Sequence, residues 1–216
     1  MRNSKWKKEN KSIRSNSKVY KKALVAAEIK DGSVQDYRKR LAKMYLSPRY
    51  KEHNIYPSTD TTHVYAVIAM CLELKKFGLS DSEIIDAINR GFVKRRAFFK
   101  ALIYLVDLFP NSFEIAKKWN IQDHEKRVCD GSITYDYFNV SDNKVEYSVS
   151  KCMYVEMFQS YGIRGLCKIF CMTDETAYAG LTRHVQFIRH SDLSDGESCT
   201  DEVMRKKRSF KTKEWR

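Results

Sequence analysis

Four of the six cysteines in this chain fall between Lys144 and Thr200, and three of them, Cys152, Cys171 and Cys199, stand where short elements can return their sulfurs to one place. A thiol with a lowered pKa is a nucleophile, and a thiolate is a metal ligand, so a cluster of this kind offers two chemistries. Cys167, Cys171, Asp174 and Tyr178 follow one another at i, i+4, i+7 and i+11. That spacing puts two thiols and a carboxylate on one helix face, where a thiol and an acid one turn apart can act on the same ligand. Cys71 lies on an apolar helical stripe and Cys129 precedes an Asp-Gly turn, so both read as packing residues.

The elements that must position these groups are short. Val145, Tyr147 and Val149 alternate with Glu146, Ser148 and Ser150, which predicts a half-buried strand with Cys152 pointing away from its apolar face. A helix follows on Tyr154, Met157, Phe158 and Tyr161, ended by Gly162, and a second runs from about Arg164 to Tyr178. After Gly180 the period-two pattern returns in Val185, Phe187 and Arg189, then Asp195-Gly196 makes a turn before Cys199. Ile133–Val140 and Val145–Val149 read as an antiparallel hairpin.

Upstream the pattern is helical. Val34–Leu46 forms one helix, and Thr61 or Thr62 caps another that carries Val64, Val67, Ile68, Cys71, Leu74 and Phe77 up to Gly78. Ser80-Asp81-Ser82-Glu83 is a capping box for a helix that Gly91 ends; Phe92–Phe109 is then a third helix, stopped by Pro110. A shorter helix runs through Lys118, with Trp119 packing under the sheet. The fold class expected is α+β: a helical N-terminal half on a small antiparallel sheet with two helices inserted between its strands.

Val149, Cys152, Tyr154, Glu156, Phe158, Gly162, Leu166, Phe170-Cys171-Met172-Thr173-Asp174, Val185-Gln186-Phe187-Ile188-Arg189 and Gly196-Glu197-Ser198-Cys199 form an ordered set. That set resembles the L-2-amino-thiazoline-4-carboxylic acid hydrolase family, a bacterial group. The likeness extends more loosely to Thr62–Phe92. After Cys199, where such proteins tend to continue Asp-Phe, this chain has Thr200-Asp201-Glu202. The resemblance implies hydrolysis of a small cyclic amidine-like acid to an N-carbamoyl amino acid. It favours Cys171 over Cys167, with Cys152, Cys171, Asp174 and Cys199 as catalytic residues. Asp174 would hold the amidinium and move protons. Arg189 or Arg164 would bind the substrate carboxylate, and Glu156 would join the substrate-binding set.

Two other readings use the same residues. In one, Cys152, Cys171 and Cys199, with Asp174 or His190, hold a divalent metal that activates water, although no C-x-x-C pair is present. No cofactor is otherwise implied. In the other, the pocket belongs to a non-catalytic sensor of a small ligand or metal.

The formal charge of +13 is concentrated at the ends. Met1–Lys22 carries nine Lys/Arg against Glu9, and Met204–Arg216 carries seven against Glu214, leaving the interior near neutrality. Residues 1–18 and 204–216 are therefore expected to be basic flexible tails around one domain over 19–203, mainly helical to 128 and sheet plus two helices beyond. Few aromatics interleave those cations, so no specific nucleic-acid partner is expected. No apolar run reaches membrane length, so no membrane partner is expected either. Six irregularly spaced thiols suit the cytoplasm better than a disulfide framework. A small-molecule substrate is the expected partner, and the oligomeric state is left open.

Overall fold

The computed structural model describes residues 2–196 and 198–206. Six helices come first: α1 (Arg2–Ala26), α2 (Val34–Tyr45), α3 (Pro48–Glu52), α4 (Ser58–Leu74), α5 (Asp81–Asp107) and α6 (Ser112–Cys129). Strands β1 (Ile133–Val140) and β2 (Lys144–Cys152) form the hairpin. Helices α7 (Met153–Gln159) and α8 (Lys168–Tyr178) follow, then β3 (Val185–Arg189) and β4 (Cys199–Arg205). The sheet is antiparallel throughout in the order β1-β2-β4-β3, so α7 and α8 are inserted between β2 and β3. This is the α+β architecture that the strand and helix periods predict.

Helix α4 is the axis of the helical half. Every residue from Val64 to Cys71 is buried, and α1, α2, α5 and α7 all touch it. An all-round apolar helix is stable only when it is enclosed. It starts at Ser58, earlier than the expected Thr61 or Thr62 cap. Those two threonines instead turn their hydroxyls back onto Pro57 O and Ser58 O. The Ser80/Glu83 capping box forms as read, and Gly162 takes the left-handed φ of 70° that ends the turn after α7.

Three expectations are corrected. The segment read as a flexible tail over residues 1–18 is most of α1. Its inward face is partly polar: Asn16 and Ser17 are buried because their side chains bond Ser12 O and Ile13 O one turn back, and Tyr20 stacks on Tyr37 with ring centroids 4.7 Å apart. At the other end, Met204 and Arg205 belong to β4, and residues 207–216 lie outside the described residues. Helix α6 continues to Cys129, well past Lys118, and Trp119 is 39% exposed on it.

Gly91 does not end a helix, since α5 runs straight through it. A Cβ there would stand 2.9 Å from Val19 O and 3.1 Å from Val19 Cγ1, so the glycine is where α1 crosses α5. Gly91→Ala should destabilise the protein by about 1–3 kcal/mol through overpacking, outweighing the roughly 1 kcal/mol of helix propensity gained. Urea unfolding of the two proteins measures the balance, and a more stable alanine variant would contradict this packing.

No helix among the described residues is long and apolar enough to cross a membrane.

Candidate active site

The inward face of the sheet carries Val145, Tyr147 and Val149 on β2, Cys199, Asp201 and Val203 on β4, and Phe187 and Arg189 on β3. Pairing puts these in rows across the strands. Val145, Val203 and Phe187 form one apolar row, Tyr147, Asp201 and Arg189 the next, and Val149 and Cys199 the third. The middle row is thus a polar seam between two apolar cores, one on the Val145/Val203 side and one on the Val149/Cys199 side.

The seam is tightly bonded. Arg189 donates from Nε to Asp201 Oδ1 at 2.8 Å and from an Nη to Oδ2 at 2.8 Å, a bidentate pair whose side chains are 10% and 2% exposed. Tyr147 donates to the same carboxylate at 3.1 Å. The remaining reach of Arg189 goes to Cys171 O at 2.8 Å and Asp174 Oδ2 at 3.2 Å, which ties α8 to the sheet. Burial opposes the charge on Arg189, but its hydrogen bonds to Asp201 more than offset that and raise its pKa further.

Helix α8 presents Cys171 and Asp174 one turn apart on the side facing this seam. Asp174 is 57% exposed, yet the protein packed around it pushes its carboxyl up to about 6, the Arg189 charge only partly opposing this. Asp174 thus stands solvent-accessible at the edge of the buried seam, tethered to it through Arg189. Its other charged neighbours are Asp201 and Asp123 on α6. Tyr135 sits among Asp123, Arg127, Cys152 and Asp174, and Tyr178 accepts from Asn120 Nδ2 at 2.7 Å, joining α8 to α6. On α6, Arg127 donates to Asp60 Oδ2 at 2.8 Å and lies 3.3 Å from Asp123 Oδ1. Four carboxylates (Asp60, Asp123, Asp174, Asp201) thus face two guanidiniums (Arg127, Arg189), an excess of two negative charges.

Cys171 acts electrostatically on Cys152, Cys167 and Cys199, and it is the largest cause of the raised Cys167 thiol. Its S–H donates to Asp192 Oδ1 at 3.3 Å. Burial pushes the Cys152 thiol up to about 11 and raises Cys199 as well, where Asp201 adds to the effect. Cys152 reaches the group against the strand parity expected for it. Register shifts in the β1–β2 pairing leave Ser150 without an opposite residue, and that extra residue turns Cys152 towards the apolar core.

Two of the expected substrate-binding residues lie elsewhere. Arg164 donates to Leu193 O at 3.1 and 2.8 Å and to Gly196 O, holding the turn before β4. Glu156 accepts from Tyr56 and pairs with Lys151 at 3.1 Å. Among the described residues no group of three or more His, Cys, Asp or Glu is placed to hold a metal ion, so Cys152, Cys171 and Cys199 do not form a ligand set. A cavity of about 710 Å³ lined by Tyr178, Phe187 and Arg189 adjoins the seam, and another of about 520 Å³ lies apart between α2, α3 and Tyr161.

Sequence reasoning missed Asp201, Arg127, Asp60 and Asp123. Asp201 had a signal: Cys199, Asp201 and Val203 alternate, so an acid on the buried side of a strand demanded a cation. The other three had none, because Asp60 and Arg127 are brought together from distant helices.

Fold and site together define a small α+β protein with a buried Arg189–Asp201 pair on its sheet and a thiol and an accessible carboxyl, Cys171 and Asp174, packed beside it. The chain belongs to the L-2-amino-thiazoline-4-carboxylic acid hydrolase family, whose model matches residues 64–201. No curated protein and no solved structure matches it.

Proposed function

We propose that this protein hydrolyses a small cyclic amidine-like acid of the 2-amino-thiazoline-4-carboxylate type to an N-carbamoyl amino acid, at Asp174 on the α8 side of the sheet, where a cavity of about 710 Å³ reaches Arg189. The observation that carries the reading is Asp174, an accessible carboxyl held near neutrality on the rim of a buried Arg189–Asp201 pair. The acidic excess suits an amidinium ring, and the tyrosines offer flat walls for it. Four of the five N–H groups of Arg189 are engaged, leaving one for the substrate carboxylate.

The raised thiols of Cys152 and Cys199 argue for water rather than a thiolate as nucleophile. Water oxygen bonds to the ring carbon between sulfur and nitrogen while one of its protons passes to Asp174. The tetrahedral carbon then forms its carbonyl and the carbon–sulfur bond breaks. Sulfur leaves with the proton returned from Asp174, and the last hydroxyl proton goes to solvent. Cys171, whose S–H donates to Asp192 Oδ1, is a neighbour of the ring rather than its attacking group.

Mass-spectrometric assay of purified protein with 2-amino-thiazoline-4-carboxylate tests the reading, with N-carbamoyl-cysteine as the expected product. Cys171→Ser should keep measurable turnover. Complete loss in that variant, with a substrate adduct trapped on Cys171 in wild type, would transfer the nucleophile to the thiol. Absence of product from any cyclic amidine acid would leave a binding module.

A further inference from the structure

Lys7, Lys11, Arg14, Lys18 and Lys21 recur every three or four residues along α1, and all five are exposed. At 100° per residue they fall within about 40° of one line, opposite the face that buries Asn16, Tyr20 and Ala23. The line is about 21 Å long, with a cation every 4.5–6 Å or so. Among the described residues none of the five is ion-paired with a carboxylate. An ordinary solvated helix face mixes charges of both signs; this one is a rigid, single-sign rail, because its back is fixed in the core.

We infer that α1 is a docking surface for the sugar–phosphate backbone of nucleic acid, bound without regard to base sequence. Phosphates on a duplex strand rise about 3.4 Å each, so the rail spans roughly six of them and can neutralise about five. Amphipathic insertion into a lipid surface is the poorer fit, because the apolar face such a helix would insert is already buried against α2, α4 and α5. The cations stand at a spacing that follows successive phosphates along one strand, which assigns them to the backbone rather than to base edges. This site is separate from Asp174 and the seam and stands whether or not the hydrolase reading does.

The test is fluorescence anisotropy of the full chain with a labelled 24-base-pair mixed-sequence duplex, titrated from 50 to 200 mM KCl. Binding should weaken with a log–log salt slope of about −4.5, from roughly 0.9 per neutralised phosphate. In the Lys11→Glu, Arg14→Glu, Lys18→Glu triple variant the affinity at 50 mM KCl should fall at least about tenfold. In the corresponding triple glutamine variant, which serves also if the glutamate one does not fold, the slope should shrink by about 2.7. The inference is overturned if wild type fails to bind the duplex at 50 mM KCl. It also falls if the glutamine variant binds with unchanged slope, which would place the contact on the basic residues after Arg205, or if phosphatidylserine vesicles are bound and the duplex is not.

Discussion

Arg189→Met is expected to lower stability by about 3–5 kcal/mol, because it leaves the Asp201 carboxylate buried without its bidentate partner. The size of the effect comes from the charge left behind rather than from the bond removed. Asp201 sits between two apolar cores, with the Tyr147 hydroxyl and, at 3.8 Å, the Cys199 S–H as its further donors. Adding Asp201→Asn to Arg189→Met should therefore recover part of the loss, as removing both charges of a buried pair usually does. Arg189→Lys should not substitute for the arginine, since an ammonium cannot span both carboxylate oxygens and also reach Cys171 O and Asp174. Denaturant unfolding of the four proteins gives the comparison. If Arg189→Met were as stable as wild type, the polar seam would not be the strut inferred here.

Asp174→Asn is expected to reduce turnover by about 10²–10⁴-fold, the usual worth of a positioned general base. In wild type the rate should rise between pH 5 and 7 along a limb centred near the carboxyl value of about 6, and the asparagine variant should lack that limb. Stability should move the other way. The folded pKa of Asp174 is raised above its unfolded value, so its effect on the fold is favourable at low pH and is lost as pH climbs from about 4 through 6. At pH 8 Asp174→Asn should melt no lower than wild type. A variant that lost activity and stability together would make Asp174 a structural residue, and one that kept the limb would move the base elsewhere.

The parts of this fold that sequence makes legible are those with local causes. The capping box at Ser80 and Glu83, the turn at Gly162, the period-two strands and the shared face of Cys171 and Asp174 each follow from residues a few positions apart. Non-local causes stayed hidden. Gly91 looked like a helix end until α1 was laid across it, and Asn16 and Ser17 looked like tail until their donors bonded the preceding turn. The same division runs through the site. Thiols and Asp174 were visible on α8, whereas the partner that organises them, Asp201, depends on β4 pairing between β2 and β3. Cys152 was placed by parity on the wrong side because a bulge adds one residue that alternation cannot anticipate.

The central claim, that the α8 side of the Tyr147–Asp201–Arg189 row receives the cyclic amidine at Asp174, is tested most directly by a crystal structure of Asp174→Asn soaked with 2-amino-thiazoline-4-carboxylate. The ring should lie between α6 and α8, with its amidine nitrogens within hydrogen-bond reach of residue 174. A ring bound instead in the hollow between α2, α3 and Tyr161, with residue 174 untouched, would contradict the account.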